Sequence, residues 1–214
     1  HILEIGCGWG GFMEYAIKHH NVKVTGLTIS KAQHDFTKKR LFEAGLSERA
    51  KVLLTDYRNQ KGQFDGIASI EMFEAVGEKY WPIYFNSLKN LMKNGAKSTL
   101  QIITIADEIF PEYRKRVDFI QKYIFPGGML PSKKALEKQF LQVGLKSINL
   151  KSFGSSYSKT LRLWHSSFNS VWDDIASVKF DDRFKRMWNF YLASCAAVFY
   201  SKTGDVIQVT LKKS

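Results

Sequence analysis

The segment Glu4-Ile5-Gly6-Cys7-Gly8-Trp9-Gly10-Gly11 has the residue types and spacing of a nucleotide-binding loop. It follows the short apolar run Ile2–Ile5 and leads into a helical pattern over Gly11–His20. Alternate glycines let the backbone adopt conformations closed to other residues and approach a ligand closely, and Glu4 places a carboxylate before the first of them. A plain structural turn is the alternative interpretation. The position between a strand and a helix favours the nucleotide site.

The glycine spacing alone leaves two kinds of cofactor open. Glu4-x-Gly6-x-Gly8-x-Gly10 resembles the first motif of class I S-adenosylmethionine-dependent methyltransferases, whereas Gly11 fills the third glycine position of the dinucleotide pattern GxGxxG. A nicotinamide site usually has a carboxylate about 20 residues past the loop. Here the second strand ends Gly26-Leu27-Thr28-Ile29-Ser30, without one. Many methyltransferases also have an acidic residue there, so neither cofactor matches fully.

Polar side chains after the second and third strands can bind a nucleoside. The hydroxyls of Thr28 and Ser30 and the amide of Gln33 can hydrogen-bond a nucleoside in place of the missing carboxylate. Asp56 offers a carboxylate to an adenine amino group, although capping a turn is its alternative role. The residues expected to bind the cofactor are Glu4, Gly6, Cys7, Gly8, Gly10, Thr28, Ser30, Gln33, Asp56, Tyr57, Arg58 and Ile70.

Strands that alternate with helices predict an α/β domain over residues 1–214, with a doubly wound, mostly parallel sheet. The segment 107–132 breaks this alternation with charged, aromatic and turn-forming residues, so we expect an insertion over the open end of the sheet. A turn is expected at Asn94-Gly95. The predicted strands cover residues 2–5, 22–27, 50–54, 64–70, 97–104, 147–153 and 207–211, and the predicted helices cover residues 11–20, 31–44, 80–92, 133–143, 161–172 and 181–197.

Composition restricts the partners and the compartment. The net charge of +12, from 32 Lys and Arg against 20 Asp and Glu, favours nucleic acid or an anionic membrane surface, with a solvated basic surface as the alternative. Two isolated cysteines indicate a reduced, cytoplasmic protein, and the adjacent His19 and His20 do not have the spacing of a metal site.

No run of the sequence reaches the roughly 20 apolar residues of a membrane span. The abrupt start at His1 leads us to expect an additional upstream segment.

Five segments together resemble the cyclopropane-fatty-acyl-phospholipid synthase family, and the similarity runs from residue 2 to about residue 211. The first segment is common among methyltransferases, whereas the later ones are more restricted. They are Leu3-Glu4-Ile5-Gly6-Cys7-Gly8-Trp9-Gly10-Gly11, Gly26-Leu27-Thr28-Ile29-Ser30-Lys31-Ala32-Gln33, Ser69-Ile70-Glu71-Met72-Phe73-Glu74-Ala75-Val76-Gly77, Tyr123-Ile124-Phe125-Pro126-Gly127-Gly128-Met129-Leu130-Pro131-Ser132 and Phe184-Lys185-Arg186-Met187-Trp188-Asn189-Phe190-Tyr191-Leu192.

The resemblance implies a Rossmann-like methyltransferase fold and methylene transfer from S-adenosylmethionine to the cis double bond of an unsaturated phospholipid. The double bond attacks the cofactor's methyl group, and loss of a proton from the resulting carbocation closes a cyclopropane ring. A bound bicarbonate ion is the implied base. Its implied holders are Cys7, Glu74, Tyr191 and the backbone of Ile103. Many members have a histidine at the position of Gln101, and glutamine can bind the ion but cannot take its proton.

Each of these residues also has a structural interpretation. Cys7 can simply fill the loop, Glu74 can be a solvated carboxylate, and Tyr191 can pack in an aromatic core. The aromatic and apolar residues that can line an acyl tunnel can equally be part of the core. Basic residues beside the insertion can contact anionic head groups. The tunnel candidates are Phe125, Met129, Leu130, Trp164 and Phe168, and the basic candidates are Arg114, Lys115, Arg116, Lys133 and Lys134.

The resemblance favours a lipid partner over nucleic acid and a protein bound peripherally to the membrane, and it leaves a homodimer open. Three other functions remain as alternatives. The cation can give a methyl-branched or methylene-bearing chain instead of a ring, the acceptor can be a small metabolite, RNA or a protein, or the chain can be an inactive lipid-binding module. The segment Ile70-Glu71-Met72-Phe73 lacks the N/D-P-P-Y/F motif of base or glutamine methylation.

Overall fold

The computed structural model describes residues 1–176 and 180–213, so residues 177–179 and 214 of the predicted domain lie outside the described part. Seven strands in this part form one sheet: β1 (Ile2–Ile5), β2 (Val24–Thr28), β3 (Ala50–Leu54), β4 (Phe64–Ile70), β5 (Met92–Ile105), β6 (Leu145–Ser152) and β7 (Gly204–Lys213). Their order across the sheet is β3-β2-β1-β4-β5-β7-β6. Only β7 runs antiparallel to its neighbours β5 and β6 among these described strands.

Helices connect the strands and cover both faces of the sheet. In the described part of the chain, no helix is both long and apolar enough to cross a membrane. The helices are α1 (Gly11–His20), α2 (Lys31–Glu43), α3 (Trp81–Leu91), α4 (Phe110–Tyr113), α5 (Phe119–Tyr123), α6 (Lys133–Gln142), α7 (Gly154–Ser170), α8 (Trp172–Ala176) and α9 (Asp182–Tyr200).

The strand order reverses between β1 and β4, which confirms the predicted doubly wound, mostly parallel sheet. At such a reversal the connections leave the two strands in opposite directions and open a crevice at their carboxyl ends. Leu3 and Ile5 of β1 are buried with Trp81 and Phe85 of α3 in the main core. This packing fixes the ends of β1 and β4, and therefore the residues that follow them.

Several element boundaries differ from the sequence prediction. The turn expected at Asn94-Gly95 lies within β5, at an irregularity in its pairing with β4: Phe64 pairs with Met92 and Gly66 pairs with Lys97. The helix expected from residue 161 begins at Gly154, where a carboxylate oxygen of Asp205 accepts the Gly154 backbone N–H at 2.8 Å. That helix ends at Ser170, and Trp172 starts a separate short helix. β7 also begins earlier than predicted, at Gly204.

Candidate active site

The glycine loop after β1 turns back along β2 before α1 begins. The backbone N–H groups of Gly6 and Cys7 both donate to the carbonyl oxygen of Leu27, at 3.0 and 2.8 Å. Gly6 and Gly10 have φ angles of 82° and 83°, in the left-handed region that favours glycine. A Cβ at Gly10 would lie 2.6 Å from the Cγ2 methyl of Thr37, so α2 packs directly against the loop. The loop has no room for a side chain at this position.

Glu4 lies in β1 immediately below the loop and is 3% exposed. Its Oε2 atom is shielded from solvent and has no hydrogen-bond partner among the described residues. Because burial disfavours the charged form, it raises the pKa of the Glu4 carboxyl to about 8. A buried, unpartnered carboxyl at the base of the loop is a group that a ligand in the crevice can satisfy.

The polar residues at the end of β2 lie together, but they bond to one another. The Thr28 hydroxyl donates to Oε1 of Gln33 at 2.8 Å and accepts the Ser30 backbone N–H at 3.1 Å. The Ser30 hydroxyl accepts the Gln33 backbone N–H at 3.3 Å and caps α2. Thr28, Ser30 and Gln33 therefore form a cluster, as the sequence suggested, and their contact with a cofactor stays a prediction.

Asp56 caps the short turn that follows β3, which is the alternative role considered for it. Its Oδ1 accepts the backbone N–H and the Nε–H of Arg58, both at 2.9 Å, and its Oδ2 accepts from Nη2 at 2.7 Å. The side-chain hydrogen bonds from Arg58 lower the pKa of the Asp56 carboxyl. The ring of Tyr57 packs edge-on against Tyr84 at 5.3 Å, and Ile70 is 39% exposed where β4 ends.

Glu74 lies in a short turn after β4, and β5 fixes its carboxyl group. Its Oε1 accepts the backbone N–H of Ile103 at 2.5 Å, whereas Oε2 is shielded from solvent and has no partner among the described residues. Burial is the largest effect on this group and, with the nearby charge of Glu71, raises the pKa of Glu74 to about 7. The solvated carboxylate considered as an alternative is wrong for this residue.

Cys7 and Tyr191 contribute uncharged donors. The Cys7 side chain is buried, and burial, together with the charge of Glu4, raises the pKa of its thiol to about 12. Tyr191 of α9 is half-buried, with its ring 5.0 Å from Trp188 and 6.2 Å from Phe125. Burial also raises the pKa of the Tyr191 hydroxyl to about 12. Both groups therefore keep their protons at neutral pH.

Gln101 is part of a hydrogen-bond network that the sequence did not reveal. Its Nε2 donates to Oε1 of Glu71 at 2.7 Å and to the Tyr157 hydroxyl at 2.8 Å, and its Oε1 accepts from Nε2 of Gln208 at 2.9 Å. The Tyr157 hydroxyl donates to the same Glu71 oxygen. These bonds use both amide hydrogens of Gln101. The one sequence signal for Glu71 is its position as a carboxylate directly after β4.

The insertion lies against α9 and the turn that carries Glu74. Phe119 of α5 packs edge-on against Phe190 at 4.7 Å, and the Met129 backbone N–H donates to the Glu74 carbonyl at 2.8 Å. The five tunnel candidates do not form one wall. Met129 packs against the main core, Phe168 packs against a separate cluster with α9, and Trp164 is 54% exposed on α7.

Comparison with known proteins places this site in a family context. The family model described as mycolic acid cyclopropane synthetase matches residues 1–209. The chain is 39% identical over 212 residues to a tuberculostearic acid methyltransferase of Mycobacterium tuberculosis, covering 99% of this chain and 49% of the relative. It is 36% identical over 214 residues to the cyclopropane-fatty-acyl-phospholipid synthase of Escherichia coli K12, covering 99% and 53%. The chain spans about half the length of these relatives.

Solved structures agree with this relationship. A cyclopropane synthase from Mycobacterium tuberculosis superposes with a TM-score of 0.91 at 28% identity, over 99% of this chain and 77% of that one. A mycolic acid cyclopropane synthase complexed with SAH and CTAB gives the same TM-score, identity and coverage. The fold is therefore the Rossmann-like methyltransferase fold expected from the sequence.

Proposed function

This chain belongs to the mycolic acid cyclopropane synthetase family of S-adenosylmethionine-dependent enzymes, and from that premise we propose that it transfers a methylene group to a phospholipid. The acceptor is the cis double bond of an unsaturated acyl chain, and the product is a cyclopropane ring. The observation that carries the proposal is the Glu74 carboxyl, whose buried Oε2 has no hydrogen-bond partner among the described residues. The loop and the Glu74 segment adjoin, since a Cβ at Gly6 would lie 2.5 Å from Cγ of Met72.

S-adenosylmethionine fits the glycine loop and the residues around it. The loop lets a ligand approach the backbone closely, and the unpartnered carboxyl of Glu4 lies directly below. The cofactor supplies an electrophilic methyl group on a sulfonium. We assign its binding to the loop, to the cluster of Thr28, Ser30 and Gln33, to the segment 56–58 and to Ile70. The same relationship to methyltransferases supports this cofactor over a dinucleotide.

Bicarbonate fits three of its five expected holders. Cys7 and Tyr191 keep their protons, and the Cys7 thiol has a long contact of 4.0 Å to the Gly8 carbonyl oxygen that an anion can replace. Oε2 of Glu74, which has no partner among the described residues, can accept from the ion's hydroxyl. The Ile103 N–H already donates to Glu74, and the amide hydrogens of Gln101 are already used. We therefore propose Cys7, Glu74 and Tyr191 as the side chains that hold the ion, which supplies a base for the new methyl group.

The protein's own side chains protect the cation from water. Tyr191, Trp188 and Phe125 bring aromatic faces close to one another, and aromatic faces attract cations. The insertion also shields the cation, because the backbone N–H of Met129 donates to the Glu74 carbonyl and holds the insertion beside Glu74. Exclusion of water strengthens every electrostatic interaction in the site and prevents capture of the cation by hydroxide or water.

An anionic membrane surface fits the exposed side of the insertion. Val117, Tyr123 and Phe125 are 74%, 49% and 57% exposed there, and Arg116 and Lys122 form no ion pair within the described residues. Apolar side chains among cations are typical of a surface that rests on lipid head groups. Three of the five cations predicted for this role are instead paired within the protein, namely Arg114 with Glu78, Lys115 with Glu112 and Lys133 with Asp205.

Lipid analysis of a host rich in unsaturated phospholipids tests the proposed function. Cells that express the full-length protein should gain one CH₂ group on monounsaturated acyl chains, as measured by mass spectrometry. The variant Glu74→Gln should abolish this gain while binding the cofactor like the wild type in calorimetry. Unchanged lipids despite cofactor turnover would instead favour a small-molecule acceptor.

A methyl-branched product is the second candidate, and the similarity to the tuberculostearic acid methyltransferase favours it. Both products result from the same cation and differ in how the charge is discharged. Proton NMR of the isolated fatty acids separates them, because cyclopropane ring protons resonate far upfield of methyl-branch protons. Branched chains without ring signals would replace the cyclopropane proposal with this one.

A further inference from the structure

Glu71 is held in a conformation that its residue type disfavours. It follows β4 directly and has a φ angle of 50°, in the left-handed region that is unfavourable for a residue with a Cβ. Its backbone N–H donates to the Gln101 carbonyl at 2.9 Å. Such strain persists where the surroundings fix the residue, and it is concentrated at functional sites. Here it directs an exposed carboxylate toward β5 and α7.

A directed series of hydrogen bonds fixes the Glu71 carboxylate. Gln208 donates to Gln101, Gln101 donates to Tyr157 and to Glu71, and Tyr157 donates to Glu71. The series ends at Oε1 of Glu71, which accepts from both Gln101 and Tyr157. Three different elements, β5, β7 and α7, supply the donors. The protein thus orders a carboxylate that could otherwise move freely in solvent.

The fixed carboxylate lies beside the residues of the reaction site. Gln101 and Ile103 are two positions apart on one face of β5, about 7 Å along the strand. The Glu71 carboxylate accepts from the Gln101 side chain, and the Glu74 carboxyl accepts from the Ile103 backbone N–H, so the two carboxyl groups are neighbours. The charge of Glu71 raises the pKa of Glu74 and also acts on Tyr191 of α9. Glu71 therefore lies near Glu74 beside β5 and close enough to Tyr191 for its charge to act on the tyrosine hydroxyl.

We propose that Glu71 is a further catalytic residue, whose carboxylate, held by Gln101 and Tyr157, contacts the reacting part of the acyl chain and stabilises the cation formed there. This inference rests on the proposed function, which generates that cation. A charge that is already oriented toward the developing cation stabilises it better than a mobile one, since it needs no reorganisation during the reaction. The network supplies this preorganisation, and Tyr157 and Gln101 are positioning residues.

Binding of a cationic amphiphile tests this role without any turnover. An alkyltrimethylammonium ion imitates a cation on an apolar chain, and an alkanol of equal chain length is its neutral counterpart. In the full-length protein, Glu71→Gln should weaken binding of the cationic ligand by about tenfold and leave the alkanol unchanged. Glu43→Gln removes the same charge from α2 and should change neither affinity. Equal losses for both ligands, or no loss, would overturn the proposal.

Steady-state turnover of the cofactor provides the second measurement. Glu71→Gln should lower kcat by about 100-fold without changing the cofactor Kd, as expected for loss of a single preorganised charge. Tyr157→Phe should lower kcat less, and Glu71→Asp should restore part of it. A kcat for Glu71→Gln within threefold of wild type would contradict the proposal. If the wild type leaves lipids unmodified while Glu71→Gln weakens binding of the cationic ligand alone, the proposed function fails and the catalytic role of Glu71 fails with it, although Glu71 is then still a residue that binds a cation.

Discussion

Glu4 and Glu74 carry buried carboxyl oxygens that are shielded from water, and this determines how the fold responds to pH. Burial raises both pKa values, to about 8 and about 7, from an ordinary value of 4.5. Between the ordinary and the raised pKa the folded protein keeps a proton that the unfolded chain has lost. Folding then takes up a proton, so stability falls as pH rises through this window. The site is maintained at the expense of stability.

Replacement of Glu4 by Gln should remove its part of this pH dependence. The free energy of unfolding of Glu4→Gln, relative to wild type, should increase by up to about 1.4 kcal/mol per pH unit between pH 5 and 8. Above the raised pKa of about 8 the difference should level off. Urea unfolding at several pH values measures it. Glu43→Gln on α2 is the control for loss of an exposed carboxyl, and parallel curves for Glu4→Gln and wild type would refute the prediction.

The strands and helices were largely predictable because their signals are local. Alternation of apolar runs with helical periodicity located the sheet and the glycine loop, and Glu74 came from its resemblance to a family motif. The network around Glu71 was not predictable, because two of its donors, Tyr157 and Gln208, follow Glu71 in the chain by 86 and 137 residues. The start of α7 was missed for a similar reason, since the Asp205 carboxylate that caps it belongs to β7.

The close packing of α2 on the loop predicts a specific sensitivity at Gly10. Gly10→Ala should destabilise the protein by more than 1 kcal/mol, roughly the cost of a left-handed alanine alone, because Thr37 also blocks the new methyl group. Gly62→Ala is the matched control, since Gly62 has a φ angle of 90° with open space around its Cβ position. Thermal unfolding and cofactor binding should both be impaired more in Gly10→Ala. Equal effects in the two variants would show that packing against α2 is unimportant.

At the scale of the whole molecule, the topological switch between β1 and β4 brings the two halves of the site together. The loop after β1 carries the predicted cofactor residues, and the segment after β4 carries Glu71 and Glu74. The insertion packs against α9 and is hydrogen-bonded to the backbone of Glu74. Exposed apolar and basic residues both occur in the insertion, and the proposed membrane contact would bring a lipid chain to this part of the protein.

Membrane contact through the insertion should depend on charge position rather than on net charge. Each cation near an anionic surface contributes about 1 kcal/mol, so Arg116→Gln combined with Lys122→Gln should weaken vesicle binding by about 30-fold. The control pair, Lys38→Gln with Lys51→Gln, lowers the charge of +12 by the same two units on α2 and β3, at the other edge of the sheet. Co-sedimentation with vesicles of anionic phospholipid measures binding, which high salt should weaken because salt screens exposed charges. If both pairs reduced binding equally, the attraction would come from overall charge, and the insertion would have no special part in docking.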